Sequence, residues 1–67
     1  MNTLVKQETQ AAGRDLRSIL TKGEIFEMGD IVERLPEHHS SYVRLAVWWL
    51  VSRKEIGFTE DFKFVYG

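Results

Sequence analysis

The stretch from Ser41 to Arg53 carries the residues best suited to a chemical role, which is contact with nucleic acid. On a helix, Val43, Ala46, Val47 and Leu50 share one face, and that face must point to the core. The opposite face and its flanks carry the candidate site residues Ser41, Arg44, Leu45, Trp48, Ser52 and Arg53. Arginine and serine donate hydrogen bonds to phosphates and base edges, and leucine can touch a thymine methyl group. The residue types of this face could therefore contact double-stranded DNA.

The two adjacent tryptophans favour an alternative. Neighbours on a helix point about 100° apart, so Trp48 and Trp49 both face the core only if the core side is unusually wide. Tryptophan rarely reads base edges, but it is enriched among the hot spots of protein interfaces. An exposed Trp48 beside Leu45 would start an apolar patch of the kind that marks partner surfaces. The alternative prediction is a protein interface of Leu45, Trp48 and Trp49, and the sequence leaves open which tryptophan is buried.

The charge distribution argues against a simple nucleic-acid binder. The formal net charge is −1, whereas such proteins are usually basic. Residues 23–37 hold five carboxylates against one arginine, and Glu60 and Asp61 follow near the end of the chain. Carboxylates repel phosphate, so DNA contact would depend on the few cations around the third helix.

Metal binding and catalysis have little support in the sequence. His38 and His39 are adjacent, which makes them poor joint chelators, and no third ligand has a suitable spacing. The chain has no cysteine, no serine with an evident histidine and acid partner, and no glycine-rich phosphate loop. We predict a protein that is not an enzyme and has no metal, no cofactor and no small-molecule substrate.

Length and composition indicate one small globular domain over residues 1–67, whose first ten residues are expected to fray. At 67 residues, the chain is near the lower limit for folding unaided. Its 43% hydrophobic and 28% charged residues are typical of a globular protein. The longest apolar run, residues 45–51, is far below the roughly 18 residues of a membrane span, and the N-terminus lacks the apolar region of a signal peptide. We expect a cytoplasmic protein that does not contact membranes.

The apolar spacing in the first half of the chain predicts a helix, a strand and a second helix. The first helix should cover residues 3–21, with Gly13 weakening it by about 1 kcal/mol and Gly23 stopping it. A short strand is expected over residues 24–28. A helix of about two turns should follow, capped by Asp30 and ending before Pro36.

The second half predicts a long helix and a hairpin. Ser40 or Ser41 should cap the third helix, which runs to about residue 54. In the hairpin, a three-residue loop would place Phe58 opposite Phe62 and Ile56 opposite Phe64, with the aromatic residues on one face. A two-residue loop would split them, so the apolar pattern favours the longer loop.

This order of elements resembles the winged helix-turn-helix family. The resemblance is most specific in the stretch VRLAVWWLVSRKEI. Small winged-helix domains often show, in this order, a valine, a small residue, an aliphatic residue, Trp-Leu, a polar stretch and an isoleucine that opens the wing. Here these are Val43, Ala46, Val47, Trp49, Leu50, residues 52–55 and Ile56. One position departs from the pattern, since a glycine usually precedes the wing and Lys54 and Glu55 occupy that corner.

The resemblance covers residues 16–66 and implies an α+β winged helix-turn-helix fold, with three helices, a short first strand and a C-terminal β-hairpin wing. It implies a small transcription regulator that binds double-stranded DNA through its third helix and wing, where Lys63 would touch a phosphate or the minor groove. Small regulators of this kind often work as a homodimer or with a protein partner. The alternative is an interaction or assembly domain that does not contact DNA.

Overall fold

The computed structural model describes residues 3–67 and shows a small α+β domain. Within this range lie three helices and one three-stranded antiparallel sheet with strand order β1-β3-β2. The elements in chain order are α1 (Thr3–Ile19), β1 (Ile25–Phe26), α2 (Met28–Arg34), α3 (Ser40–Ser52), β2 (Ile56–Phe58) and β3 (Phe64–Tyr66). The α+β class is therefore confirmed.

The first helix is shorter at its C-terminal end than the sequence predicts. It ends at Ile19 instead of residue 21, and Gly23 follows in a turn with a φ of +86°. Glycine adopts that left-handed conformation without strain, which explains why the chain reverses there. Met1 and Asn2 lie outside the described residues, and the fraying expected over residues 1–10 stays a prediction.

The second helix begins earlier than predicted, and the strand before it is shorter. Only Ile25 and Phe26 pair with β3, and Met28 is already helical. Glu27 is the N-cap residue and makes no side-chain cap bond, whereas Asp30 lies in the first turn. The predicted cap at Asp30 is therefore wrong. A carboxylate in the first turn still stabilises a helix by interacting with its dipole.

The third helix is capped by His39, so the predicted caps at Ser40 and Ser41 are wrong. The Nδ1 atom of His39 accepts a hydrogen bond from the backbone N–H of Ser41 at 3.1 Å. An imidazole nitrogen thus does what a serine or aspartate oxygen usually does at this position. On the core side of α3, Val43, Ala46, Val47 and Leu50 are fully buried, as the helical spacing predicted.

The hairpin has a longer loop than predicted, and its register differs. Ile56 pairs with Tyr66 and Phe58 pairs with Phe64, so the loop spans residues 59–63. Thr59 closes it, because its N–H donates to the Lys63 carbonyl and its Oγ1 accepts from the N–H groups of residues 61 and 63. Phe62 therefore leaves the pairing: its side chain is 91% exposed and its φ is +62°.

The corner between α3 and β2 is a left-handed helix cap built on a lysine. The N–H of Lys54 donates to the Val51 carbonyl and the N–H of Glu55 donates to the Leu50 carbonyl, which is the Schellman pattern. Glycine is the usual residue at the left-handed position, but here Lys54 adopts a φ of +65°. The corner that departs from the winged-helix pattern in sequence thus keeps the backbone conformation for which glycine is favoured.

Candidate functional site

The predicted site residues of α3 lie on its outer face. Leu45 is 39% exposed and Trp48 is 50% exposed, and both side chains line the same groove. The remaining four, all exposed, are Ser41, Arg44, Ser52 and Arg53. The structure therefore brings the six predicted residues of α3 and its C-cap to the solvent side of one helix, as the helical spacing predicted.

Trp48 belongs to a cluster of aromatic rings that joins α3 to the hairpin. Its ring centroid lies 5.5 Å from that of Phe58 and 5.7 Å from that of Phe64. Phe58 remains 53% exposed, whereas Phe64 is buried. Leu45, Trp48 and Phe58 thus form an exposed apolar surface, which we call the aromatic patch. The sequence missed Phe58 as part of this surface because the hairpin register was needed to place it.

Trp49 points toward α1 and is half-buried. A Cβ atom built on Gly13 would lie 2.9 Å from the Trp49 Cζ3 atom, so only glycine lets the two helices approach this closely. The guanidinium carbons of Arg17 and Arg53 also lie 5.4 Å and 5.3 Å from the centroid of the Trp49 ring. The structure thus answers which tryptophan is buried, a question that the sequence left open: Trp49 packs between α1 and α3, and Trp48 faces solvent.

The two arginines beside Trp49 share one carboxylate. Arg17 donates to both oxygens of Glu55, at 2.9 and 2.6 Å, and Arg53 donates to Oε2 at 3.0 Å. The hydrogen bond from Arg17, followed by that from Arg53, holds the pKa of Glu55 below its ordinary value against the opposing effect of burial. The same hydrogen bond raises the pKa of Arg17. Arg53 is therefore already engaged by its own chain.

Most other polar residues of the predicted DNA surface also have partners. The Oγ of Ser41 bonds to His39 Nδ1 at 2.8 Å, and the Oγ of Ser52 donates to the Trp49 carbonyl at 2.6 Å. The Lys63 ammonium lies 3.9 Å from a carboxylate oxygen of Glu27. For Arg44, by contrast, no ion pair or hydrogen bond of the side chain is found within residues 3–67.

A groove of about 450 Å³ opens between α1 and the outer face of α3. We call it the α1–α3 groove; its lining residues are Lys6, Thr9, Gln10, Leu45, Trp48 and Trp49. Thr9 is buried, and its Oγ1 has no hydrogen-bond partner in the part of the chain that the structure describes. The sequence did not predict the three α1 residues, because only the crossing of the two helices brings them to Trp48. One signal was present: Thr9 continues the apolar spacing of Ala12 and Leu16 with a polar side chain.

The two histidines have separate structural roles. His38 Nε2 lies 2.6 Å from Asp15 Oδ2 and ties the turn before α3 to α1, while His39 caps α3. A carboxylate oxygen of Glu37 also approaches, so potential ligand atoms of Asp15, Glu37 and His38 all lie within 4.8 Å of one another. The His38–Asp15 contact accounts for two of the three, and the absence of a metal stays a prediction.

The acidic segment 23–37 surrounds α2. Asp30 and Glu33 of α2 and Glu37 after it are exposed, so the helix that would cross a DNA backbone presents carboxylates. Two carboxylates of the segment have cationic partners: Arg34 donates to Glu24 at 2.6 Å, and the Lys63 ammonium lies 3.9 Å from Glu27. The Thr21 N–H, followed by Arg34, lowers the pKa of Glu24.

Comparisons with protein-family models, with curated proteins and with solved structures return no match for this chain. Across residues 3–67, no helix combines the length and the apolar character that crossing a membrane requires. A function for this chain is therefore inferred from its residues and their geometry.

Proposed function

We propose that this chain is a winged-helix protein-interaction domain whose aromatic patch binds a partner protein. The observation that carries the proposal is the half-exposed Trp48 between exposed Leu45 and Phe58. The winged-helix arrangement is supported by the order of the elements and by the hairpin that pairs with β1. The domain acts by presenting a rigid surface.

The patch is well suited to binding because it is apolar and held in place. Trp48 stands on a helix whose opposite face is fully buried, and its ring is supported from below by Phe64. A pre-organised aromatic side chain loses little entropy on binding, which is why tryptophan dominates many interfaces. Covering the exposed parts of the three residues would release ordered water and stabilise a complex.

Double-stranded DNA is the second candidate, and the exposure of Arg44 favours it. Arg44 stands on the outer face of α3 without a partner in the described part of the chain, so it can reach a phosphate. In this case the protein is a small transcription regulator. It is the weaker candidate because Ser41, Ser52 and Arg53 already bond within the chain and because α2 is acidic.

A peptide selection tests the interaction function. The native protein and two variants, Leu45→Ser and Ile25→Ser, would be screened against a displayed library of random peptides, and the enriched peptides measured by calorimetry. Ile25 is the matched control, because it is an exposed aliphatic residue on β1, away from the patch. We expect peptides that bind the native protein and Ile25→Ser but lose about tenfold in affinity with Leu45→Ser. If no enriched peptide distinguishes the two variants, the proposed function is wrong.

An NMR titration with a mixed-sequence duplex at low and moderate salt decides the second candidate. If the protein binds DNA, the NMR signals of Ser41, Arg44 and Lys63 should shift in a salt-sensitive way. Arg44→Glu should then abolish DNA binding, and Trp48→Ala should weaken it less. The self-diffusion coefficient of the same sample reports whether the protein forms a homodimer. The absence of shifts at low salt would rule DNA out.

A further inference from the structure

We infer that the α1–α3 groove receives an amphipathic helix of the partner protein whose polar face carries carboxylates. This inference rests on the proposed function and names the class of partner. It extends the binding surface from the aromatic patch to α1, where no site was expected from the sequence. The apolar lining of the groove and the charge around it support the inference.

The shape of the groove suits a helix. It is bounded by α1 on one side and by Leu45, Trp48 and Trp49 on the other, and it is open to solvent. An apolar groove beside two packed helices can receive the apolar face of a third helix, as in other helix-in-groove complexes. The contact would use side chains spaced three and four residues apart on the partner.

The charges around the groove are positive. Among residues 3–67, Lys6 is the one charged residue that lines the groove, and the exposed Arg44 precedes Leu45 on α3. The α3 sequence contains no carboxylate at all. Glu55, which follows α3, is neutralised by Arg17 and Arg53. A partner with carboxylates beside its apolar stripe would therefore meet complementary charge, whereas a basic partner would be repelled.

A second copy of this chain fits the groove less well. Two α1–α3 grooves that faced each other would bring two Lys6 and two Arg44 side chains together. The acidic helix of the chain, α2, is not available as an occupant, because Ile31 is fully buried in its own core. Because both of these arrangements are disfavoured, we take another protein as the occupant.

Thr9 supplies apolar surface to the groove and not a hydrogen bond. Its Oγ1 atom is unpaired within residues 3–67 but has almost no accessible surface, so a partner that lies on the groove cannot reach it. Thr9→Val keeps the shape of the side chain and removes only this hydroxyl, so it should leave the binding of the partner helix unchanged.

Three designed helical peptides test the inference by calorimetry and by NMR. The first has a Leu/Trp stripe and a glutamate-rich polar face, the second has lysine in place of glutamate, and the third is a scrambled version of the first. We expect the acidic peptide to bind at least about tenfold more tightly than the other two and to shift the signals of Lys6, Gln10, Leu45 and Trp48. Lys6→Glu should abolish the preference for the acidic peptide over the basic one, and Ile25→Ser should leave that preference unchanged.

The outcomes separate this inference from the proposed function. The inference would be overturned if the acidic and basic peptides bound equally well. It would also be overturned if the NMR signals of Leu45 and Trp48 shifted while those of Lys6 and Gln10 did not. Either result would leave the aromatic patch as a protein-binding surface. The inference also fails, and the patch remains, if none of the three peptides binds although the selected peptides do. Displacement of the acidic peptide by a single-stranded oligonucleotide would show that the cations and aromatic rings form a nucleic-acid site, and this would overturn the inference. The inference would also be overturned if the affinity for the peptide changed on dilution of the protein, because that would indicate that a homodimer occupies the groove.

Discussion

Replacing Gly13 by alanine should destabilise the protein, although the same change normally stabilises a helix. Gly13 lies in the interior of α1, where alanine is favoured over glycine by about 1 kcal/mol. Propensity alone therefore predicts a more stable variant. The packing of α1 against α3 predicts the opposite, and the two effects are large enough to be distinguished by experiment.

The magnitude follows from the distance between the new methyl group and Trp49. The alanine Cβ would lie 2.9 Å from Cζ3 and 3.1 Å from Cε3, well inside the usual separation of about 3.5–4.0 Å between carbon atoms. The two contacted atoms belong to the rigid indole ring at the contact between α1 and α3, so relief of the clash requires the ring or a helix to shift. Overpacking of this kind costs about 1–3 kcal/mol. After subtraction of the propensity gain, we expect the free energy of unfolding to fall by about 1 kcal/mol.

Gly29→Ala is the matched control. Gly29 is also helical, and an added Cβ there meets nothing within 4 Å, so this variant should gain up to about 1 kcal/mol. Urea unfolding followed by circular dichroism would measure both, and the melting temperatures should differ by about 10 °C. In a Trp49→Leu background, Gly13→Ala should become stabilising. If Gly13→Ala raises the stability of the native protein as much as Gly29→Ala does, the packing argument is refuted.

Three further predictions concern the corner, the ion cluster and the hairpin loop. Lys54→Gly should raise the free energy of unfolding by about 0.5 kcal/mol in thermal melts, because Lys54 is left-handed and glycine is not strained there, whereas Lys54→Ala should give no gain. Glu55 has a pKa below its ordinary value of 4.5, so its stabilising effect is present above that pH and is lost as the pH falls through the folded-state pKa. Urea melts between about pH 6 and pH 3 should therefore show a shallower loss of stability in Glu55→Gln than in the native protein, and parallel curves would contradict this. Phe62→Ser should change the stability by less than about 0.5 kcal/mol, because Phe62 is 91% exposed; a loss above about 1 kcal/mol would mean that its ring packs in solution.

The elements and the core of this domain could be predicted because they depend on spacing within short stretches. Helical periodicity placed Val43, Ala46, Val47 and Leu50 on one face, and all four are buried. The errors concern ends and turns. His39 replaced serine as the cap of α3, because any side-chain atom that accepts from the first N–H groups can serve. The five-residue hairpin loop escaped prediction because Thr59 closes it with side-chain hydrogen bonds that periodicity does not reveal.

Some features of the candidate site also follow from local spacing, and others depend on tertiary contacts. The amino-acid sequence by itself determined that α3 has an apolar outer face with arginines nearby, since side-chain direction on a helix follows from residue number alone. Only the tertiary structure decided which tryptophan is exposed, because that depends on where α1 and the hairpin pack against α3. The crossing at Gly13 covers Trp49, the hairpin register places Phe58 beside Trp48, and the same crossing brings Lys6 and Thr9 to the groove. These contacts join residues far apart in the chain, so no local pattern contains them.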